Sequence, residues 1–241
     1  MKAYWYWSLC GDAMNFGDNL TPWLFEKICG VLPIHSRVCP QVFACGSIGE
    51  IIPDGYTGYI LGTGMMYAET RKDLRNAKVL ALRGKLTKAA CSGVPDDITL
   101  GDFGIALKNI VPKAVAKYDI GEIPHHVTTD AGKTLGTGGL VINILRPPEE
   151  IIEKAAECRR IVSNSLHGLI LADVLGIENK WIPDKAVLGD GHKFRDYASV
   201  FDEDIKPNEW RLAPQDKISE IAEQLVSHMW IVHDSLSKQE T

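Results

Sequence analysis

The sequence predicts an α/β protein built on parallel sheets, and three observations carry that expectation. Short apolar runs at 42–45, 59–61 and 79–82 each give way within a residue or two to glycine. Segments with helical apolar spacing lie among such runs, and the same alternation returns in the second half of the chain. Apolar strands joined through helices line up in parallel, with their loops gathered at the carboxyl ends of the strands. Ligand sites form along that edge.

Taken in order, residues 3–7 alternate like a first strand. Thr21-Pro22 reads as the N-cap and first residue of a helix that ends near Gly30. Residues 86–91 read as helical. A second unit begins after the segment 107–112, with strands at 120–123, 140–144 and 160–162 and a helix at 148–157, although no sequence repeat is detectable. Near the C-terminus, residues 214–233 place Ile218, Ile221, Ala222, Leu225, Val226 and Met229 on one helical face, a pattern for packing. His228 and His233 on or near that helix are given no chemistry. The expected division is 1–111, 112–212 and a packing helix within 213–241. Its first two parts are expected to be Rossmann-like halves facing one another across a cleft.

With 241 residues, 45% of them apolar and 24% charged, the chain can bury a sizeable core. A net charge of −5 offers no electrostatic footprint for nucleic acid, which is not an expected partner. The six cysteines, Cys10, Cys29, Cys39, Cys45, Cys91 and Cys158, form no Cys-x-x-Cys pair, so reduced, buried thiols are expected and no metal site is predicted. Met1-Lys2 leads straight into a strand pattern with no leader signature, and the apolar stretch 166–177 contains His167 and Asp173 and is too short for a bilayer. The expectation is a cytoplasmic protein without a transmembrane segment, with peripheral attachment at the inner face of the membrane left open.

The stretch 160–173 says most about chemistry. Residues 160–162 end a buried strand, Ser163-Asn164-Ser165 supply turn and N-cap chemistry, and Gly168 onward resumes a helical pattern. His167 therefore falls in a helix first turn, where free N–H groups and the positive end of the dipole favour an anion. A hydrogen-bonded core histidine between Leu166 and Leu169 is the competing reading.

Ser-Asn-Ser-Leu-His-Gly-Leu-Ile-Leu-Ala-Asp, followed by Leu-Gly-Ile and Trp181, resembles the signature of the polysaccharide pyruvyl transferase family, in particular its exopolysaccharide-type members. Further segments resemble the family in the expected order: Asn15-Phe-Gly-Asp18-Asn19-Leu20, Leu61-Gly62-Thr63-Gly64, Leu82-Arg83-Gly84-Lys85, Ile123-Pro124-His125-His126 and Lys193-Phe194-Arg195-Asp196-Tyr197. The resemblance implies two lobes like those of GT-B glycosyltransferases. It also implies transfer of pyruvate from phosphoenolpyruvate to two hydroxyls of a sugar as a ketal, on a saccharide acceptor, lipid-linked carriers included. Phosphoenolpyruvate is then a donor substrate, and no cofactor is expected.

Such a reaction needs an anion site and a proton carrier. His167 is the expected general acid–base residue. Arg83, at a strand end, is expected to project and grip the donor through two parallel hydrogen bonds, against the alternative of a surface ion pair. His125 holds the mirror position, and of the adjacent His125 and His126 only one is expected to face the site. Ser165, Gly168 and the glycine turn at Gly62 and Gly64 complete the donor side. The Gly46-Ser47-Ile48-Gly49 turn could likewise cradle an anion, and neither turn matches a nucleotide fingerprint. Asn15 and Asp18, in a turn after the first strand, and Lys193, Arg195 and Tyr197, in a loop with Phe194, are the expected acceptor contacts. An ordinary Asx turn and a solvated charge run compete with those readings. Many members carry arginine where this chain has Ser165. A GT-B glycosyltransferase using a nucleotide sugar and a non-catalytic saccharide-binding relative remain the alternatives.

Overall fold

The computed structural model describes residues 1–6, 15–130 and 133–238, without the side chain of Asp130. Trp7 at the end of the expected first strand, Cys10 and the last residues of the C-terminal segment lie outside them. The first half runs β1 (Lys2–Tyr4), α1 (Phe16–Cys29), β2 (Ile34–His35), β3 (Val42–Phe43), β4 (Tyr59–Thr63), β5 (Lys72–Asp73), β6 (Lys78–Leu82), α2 (Lys85–Ala90), β7 (Cys91–Ser92) and β8 (Thr99–Leu100). A 3₁₀ segment, Phe103–Asn109, follows. The second half runs β9 (Tyr118–Ile123), α3 (His126–Asp130), β10 (Leu140–Val141), α4 (Pro148–Ala156), β11 (Cys158–Ser163), α5 (Leu166–Leu175), β12 (Glu178–Trp181), α6 (His192–Ala198), β13 (Trp210–Arg211) and α7 (Gln215–Ser237).

The first sheet has the order β2-β1-β3-β4-β6-β8, and every pair in it is parallel. β5 and β7 form a small separate ladder. The second sheet has the order β10-β9-β11-β12-β13, parallel except where β13 meets β12. The fold class is therefore α/β with parallel sheets. In each sheet the chain steps from its first strand to one side and then continues on the other. The order reverses between β1 and β3 and again between β9 and β11, and such switch points open a crevice at the strands' carboxyl ends. Register makes both crevices level: Tyr4 pairs with Phe43, and Ile123 with Ser163.

Helix α1 begins at Phe16, well before the expected start at Thr21-Pro22, and encloses Pro22. A proline ring fits the backbone angles of a helix but cannot donate to the carbonyl of residue 18, and α1 continues past it to the left-handed cap at Gly30. The Thr21 hydroxyl instead accepts the backbone N–H of Cys45 at 3.1 Å and ties α1 to the end of β3. The expected strand at 140–144 is regular only over Leu140–Val141. Its continuation buries Ile142 and Ile144, whose carbonyl accepts the N–H of Phe16 at 2.9 Å.

One hydrophobic core takes members from both sheets, among them Ala3, Val42 and Leu61 from the first and Ile123, Ile142 and Ile161 from the second. Helix α5 is buried along Leu166–Val174, which explains its apolar character on all sides. Helix α7 packs on the 3₁₀ segment, β4, β8 and α1, and also on α5. A smaller cluster of Phe43, Ile48, Ile60 and Val79 covers the other face of the first sheet. Cys29, Cys45 and Cys158 are buried as free thiols, whereas Cys39 is exposed and Cys91 half-buried, contrary to the expectation of buried thiols.

Candidate active site

A cavity of about 390 Å³ lies where the two switch points meet. Tyr4, Asp18 and the Gly46-Ser47-Ile48 turn line it from the first half of the chain, and His125, Ser165 and His167 from the second. Lys193 completes the wall from α6.

The Ser163-Asn164-Ser165 turn is held from within. Ser163 Oγ hydrogen-bonds the Ile123 carbonyl at 2.6 Å and accepts from Ser165 N at 2.9 Å. Asn164 Oδ1 accepts the N–H of His125 at 2.6 Å, while its Nδ2 donates to Thr128 Oγ1 and Asp184 Oδ2. The turn after β11 thereby fixes the turn after β9. Ser165 sits at the N-cap of α5, yet its hydroxyl makes no capping bond, and it lines the cavity. Free N–H groups at this helix end favour an anion.

His167 is 9% exposed and stands in the first turn of α5, as expected. Its Nε2 lies 3.2 Å from Cys45 Sγ and 3.8 Å from Asp102 Oδ1, and neither of those residues is part of the cavity wall. The ring rests on Gly17, where a Cβ would fall 1.9 Å from Nδ1. Burial lowers the His167 pKa, Asp102 opposes this, and Lys193 and Arg83 add to the lowering. The Cys45 thiol is pushed well up by burial and by Asp102.

Asp18 lies on the opposite wall, where Asn15 Nδ2 donates to it at 3.1 Å. Burial pushes its pKa up to about 7 against the pull of Asn15 and Lys193. Burial, then Arg83, brings Lys193 down to about 8, with Asp18 opposing. His125 is lowered to about 3, first by burial and then by Lys193, His126 and His167, with Asp184 opposing.

Several expectations are corrected. Arg83 does not project into the cleft: it is fully buried, with Nε on Asp196 Oδ2 at 2.8 Å, Nη1 on Ser47 Oγ at 2.6 Å and Nη2 on the Met65 carbonyl. Its guanidinium braces the Gly46-Ser47 turn from behind. Gly64 is small because a Cβ would fall 2.3 Å from Arg83 Cζ, and Gly62, at φ 85°, because one would fall 2.6 Å from Phe103 N. Gly168 abuts Ser163 Oγ, and none of the three glycines lines the cavity. Lys193, Arg195 and Tyr197 occupy a helix, α6, rather than a loop. Its periodicity turns Lys193 to the cavity and leaves Arg195 outside, bonded to the Asp190 carbonyl. Tyr197 is fully buried, and its hydroxyl donates to Asp173 Oδ2 at 2.8 Å. His125 and His126 both line the cavity, with ring centroids 4.2 Å apart, because α3 starts at His126 and ends the extended alternation.

Tyr4 and Tyr6 in the wall and Cys45 and Asp102 behind it are not among the residues expected from the sequence. Alternation in the first strand offered a signal for the tyrosines. Nothing local signals that Cys45, Asp102 and His167 meet, because they are remote in sequence and each ends or follows a different strand.

The geometry defines an α/β protein of two main sheets, with a cavity at their paired switch points. The chain is 34% identical over 208 residues, 78% of its length and 71% of the relative's, to an uncharacterized protein of Acanthamoeba polyphaga mimivirus, and it belongs to the same family as that protein. It is also 28% identical over 191 residues to the succinoglycan biosynthesis protein ExoV of Rhizobium meliloti (strain 1021), covering 73% of this chain and 58% of ExoV. The chain thus spans less than two thirds of ExoV's length. No family model matches the chain, and no solved structure matches it. Among the described residues no helix is long and apolar enough to cross a membrane.

Proposed function

We propose that this chain acts in polysaccharide biosynthesis as a ketal pyruvyltransferase, moving pyruvate from phosphoenolpyruvate onto two hydroxyls of a saccharide. One observation carries the reading: the uncapped N-terminus of α5, Lys193, Asp18 and His167 converge on one cavity. The family resemblance of the Ser-Asn-Ser-Leu-His-Gly stretch and the likeness to ExoV support it. The α5 N–H groups, Ser165 and Lys193 hold the donor's anionic groups, with His125 and the Gly46-Ser47 turn beside them. Asp18 and His167 are the groups of the wall that exchange a proton. The donor methylene carbon takes up one proton, an acceptor oxygen bonds to the neighbouring carbon, and the bond from that carbon to the phosphate oxygen breaks. A second acceptor oxygen closes the ketal, and inorganic phosphate leaves with the other hydroxyl proton. Tyr4 and Tyr6 offer ring faces to a sugar.

In the same reading, residues 1–111 and 112–212 are two Rossmann-like lobes in a GT-B-like arrangement, on the cytoplasmic side of the membrane. Paired parallel sheets also suit a nucleotide-sugar glycosyltransferase, and one experiment separates the two. Phosphoenolpyruvate is expected to raise Tm and to release phosphate in the presence of a matching saccharide from an acceptor panel. Stabilisation by UDP- or GDP-sugars with no response to phosphoenolpyruvate would favour the glycosyltransferase.

A further inference from the structure

Behind the cavity wall, three groups from three separate elements converge. Cys45 follows β3, Asp102 follows β8, and His167 opens α5. Sγ and Nε2 are 3.2 Å apart, and Oδ1 of Asp102 lies 3.8 Å from each. From bonds of about 2.3 Å to sulfur and about 2.0–2.1 Å to nitrogen and oxygen, tetrahedral geometry separates such ligand atoms by roughly 3.3–3.6 Å. Shifts of a few tenths of an ångström therefore bring all three onto one ion.

A second observation is independent of that spacing. Asp102 is fully buried, and while its Oδ1 accepts the N–H of Gly104 at 2.9 Å, its Oδ2 has no hydrogen-bond partner among the described residues. The one basic group within 4.0 Å of its carboxylate among the described residues is His167. A buried carboxylate without a full partner is costly. A divalent cation supplies the missing charge, and thiolate with carboxylate balances it.

We propose that Cys45, Asp102 and His167 form a binding site for a divalent, borderline-soft metal ion, zinc in the first place. Sulfur, imidazole and carboxylate together select such an ion over magnesium or calcium. Three protein ligands leave a fourth position for a water. This goes beyond pyruvyl transfer and does not rest on it. Coordination through Nε2 leaves Nδ1 of His167 as the one ring nitrogen that carries a proton.

Cobalt titration of the 241-residue chain, freed of metal by a chelator, tests the site without an activity assay. One Co²⁺ per chain is expected to give the intense visible bands of a tetrahedral ion and a thiolate charge-transfer band, both removed by added Zn²⁺. Cys45→Ser should abolish the charge-transfer band. Asp102→Asn keeps an acceptor for Gly104 N–H and should weaken Co²⁺ binding at least about 10-fold, the lower end of what even outer-shell losses cost. If Cys45→Ser fails to fold, the Asp102→Asn titration carries the test. Absence of a thiolate band in the wild-type protein would overturn the proposal. So would a band that survives in folded Cys45→Ser, which would place the ion on another thiol such as the exposed Cys39, or Co²⁺ affinity unchanged in Asp102→Asn.

Discussion

Arg83 is buried away from the cleft, whereas Asp18 lines it. Arg83→Lys keeps the charge but gives up the planar fork that reaches Asp196, Ser47 and Met65, in a fully buried site. Charge-assisted bonds contribute about 1.5–3 kcal/mol each, so denaturant unfolding should show a loss of at least about 2 kcal/mol. Unchanged stability would mean that these three bonds contribute nothing net to folding. If the proposed roles hold, Asp18, raised to about 7, and Lys193, lowered to about 8, govern the pH response. Turnover should fall as pH rises through 7, and donor affinity through 8; a rate profile flat across that interval would remove Asp18 from proton transfer. Because folding raises the Asp18 pKa, the stability tied to its neutral form is complete below the unfolded value and is lost as pH climbs toward 7. Asp18→Asn should therefore raise Tm relative to wild type more at pH 8 than at pH 4, while turnover falls roughly 10²-fold or more. His167 and the helix start were legible because the motif is contiguous. Arg83 was not, because its acidic partner Asp196 is remote in sequence and becomes visible only when α6 packs against α2.

Among the elements, α1 and α5 place the site by meeting end to end at Gly17 and His167. A methyl group on Gly17 would occupy the space of the imidazole ring. Gly17→Ala should therefore displace the ring and lower turnover about as much as His167→Asn, roughly 10²-fold, while circular dichroism still reports a folded protein. Near-normal turnover in Gly17→Ala would show that the ring position is immaterial to catalysis. Ser165→Ala, with no capping bond to lose, should weaken donor binding and leave Tm nearly unchanged. Strands were legible wherever an apolar run met glycine. The start of α1 was misplaced because Thr21-Pro22 has the chemistry of a helix entrance, and only contact with Cys45 N shows that the threonine serves another strand. Likewise, Lys193, Arg195 and Tyr197 resemble a polar loop until helical periodicity separates them into cavity wall, solvent and core.

For the molecule as a whole, the shared core predicts one cooperative unfolding transition, seen alike by circular dichroism and tryptophan fluorescence. Two separated transitions would mean that the halves fold independently. Leu225, fully buried on α7, should cost about 2–5 kcal/mol when replaced by alanine, without a change in cooperativity. Alternation of strands and helices made the parallel α/β class readable from the chain. The matching strand order was not readable, because order is a property of pairing between distant segments and leaves no local periodicity.

The chain passes from the first half to the second through the stretch between the 3₁₀ segment and β9, and α7 brings it back. Two tethers define a line. Both tethers run over one shared core, so the halves cannot part along that line without exposing Ile123, Ile142 and Ile161 to water, and α7 is the strap that fastens the second crossing.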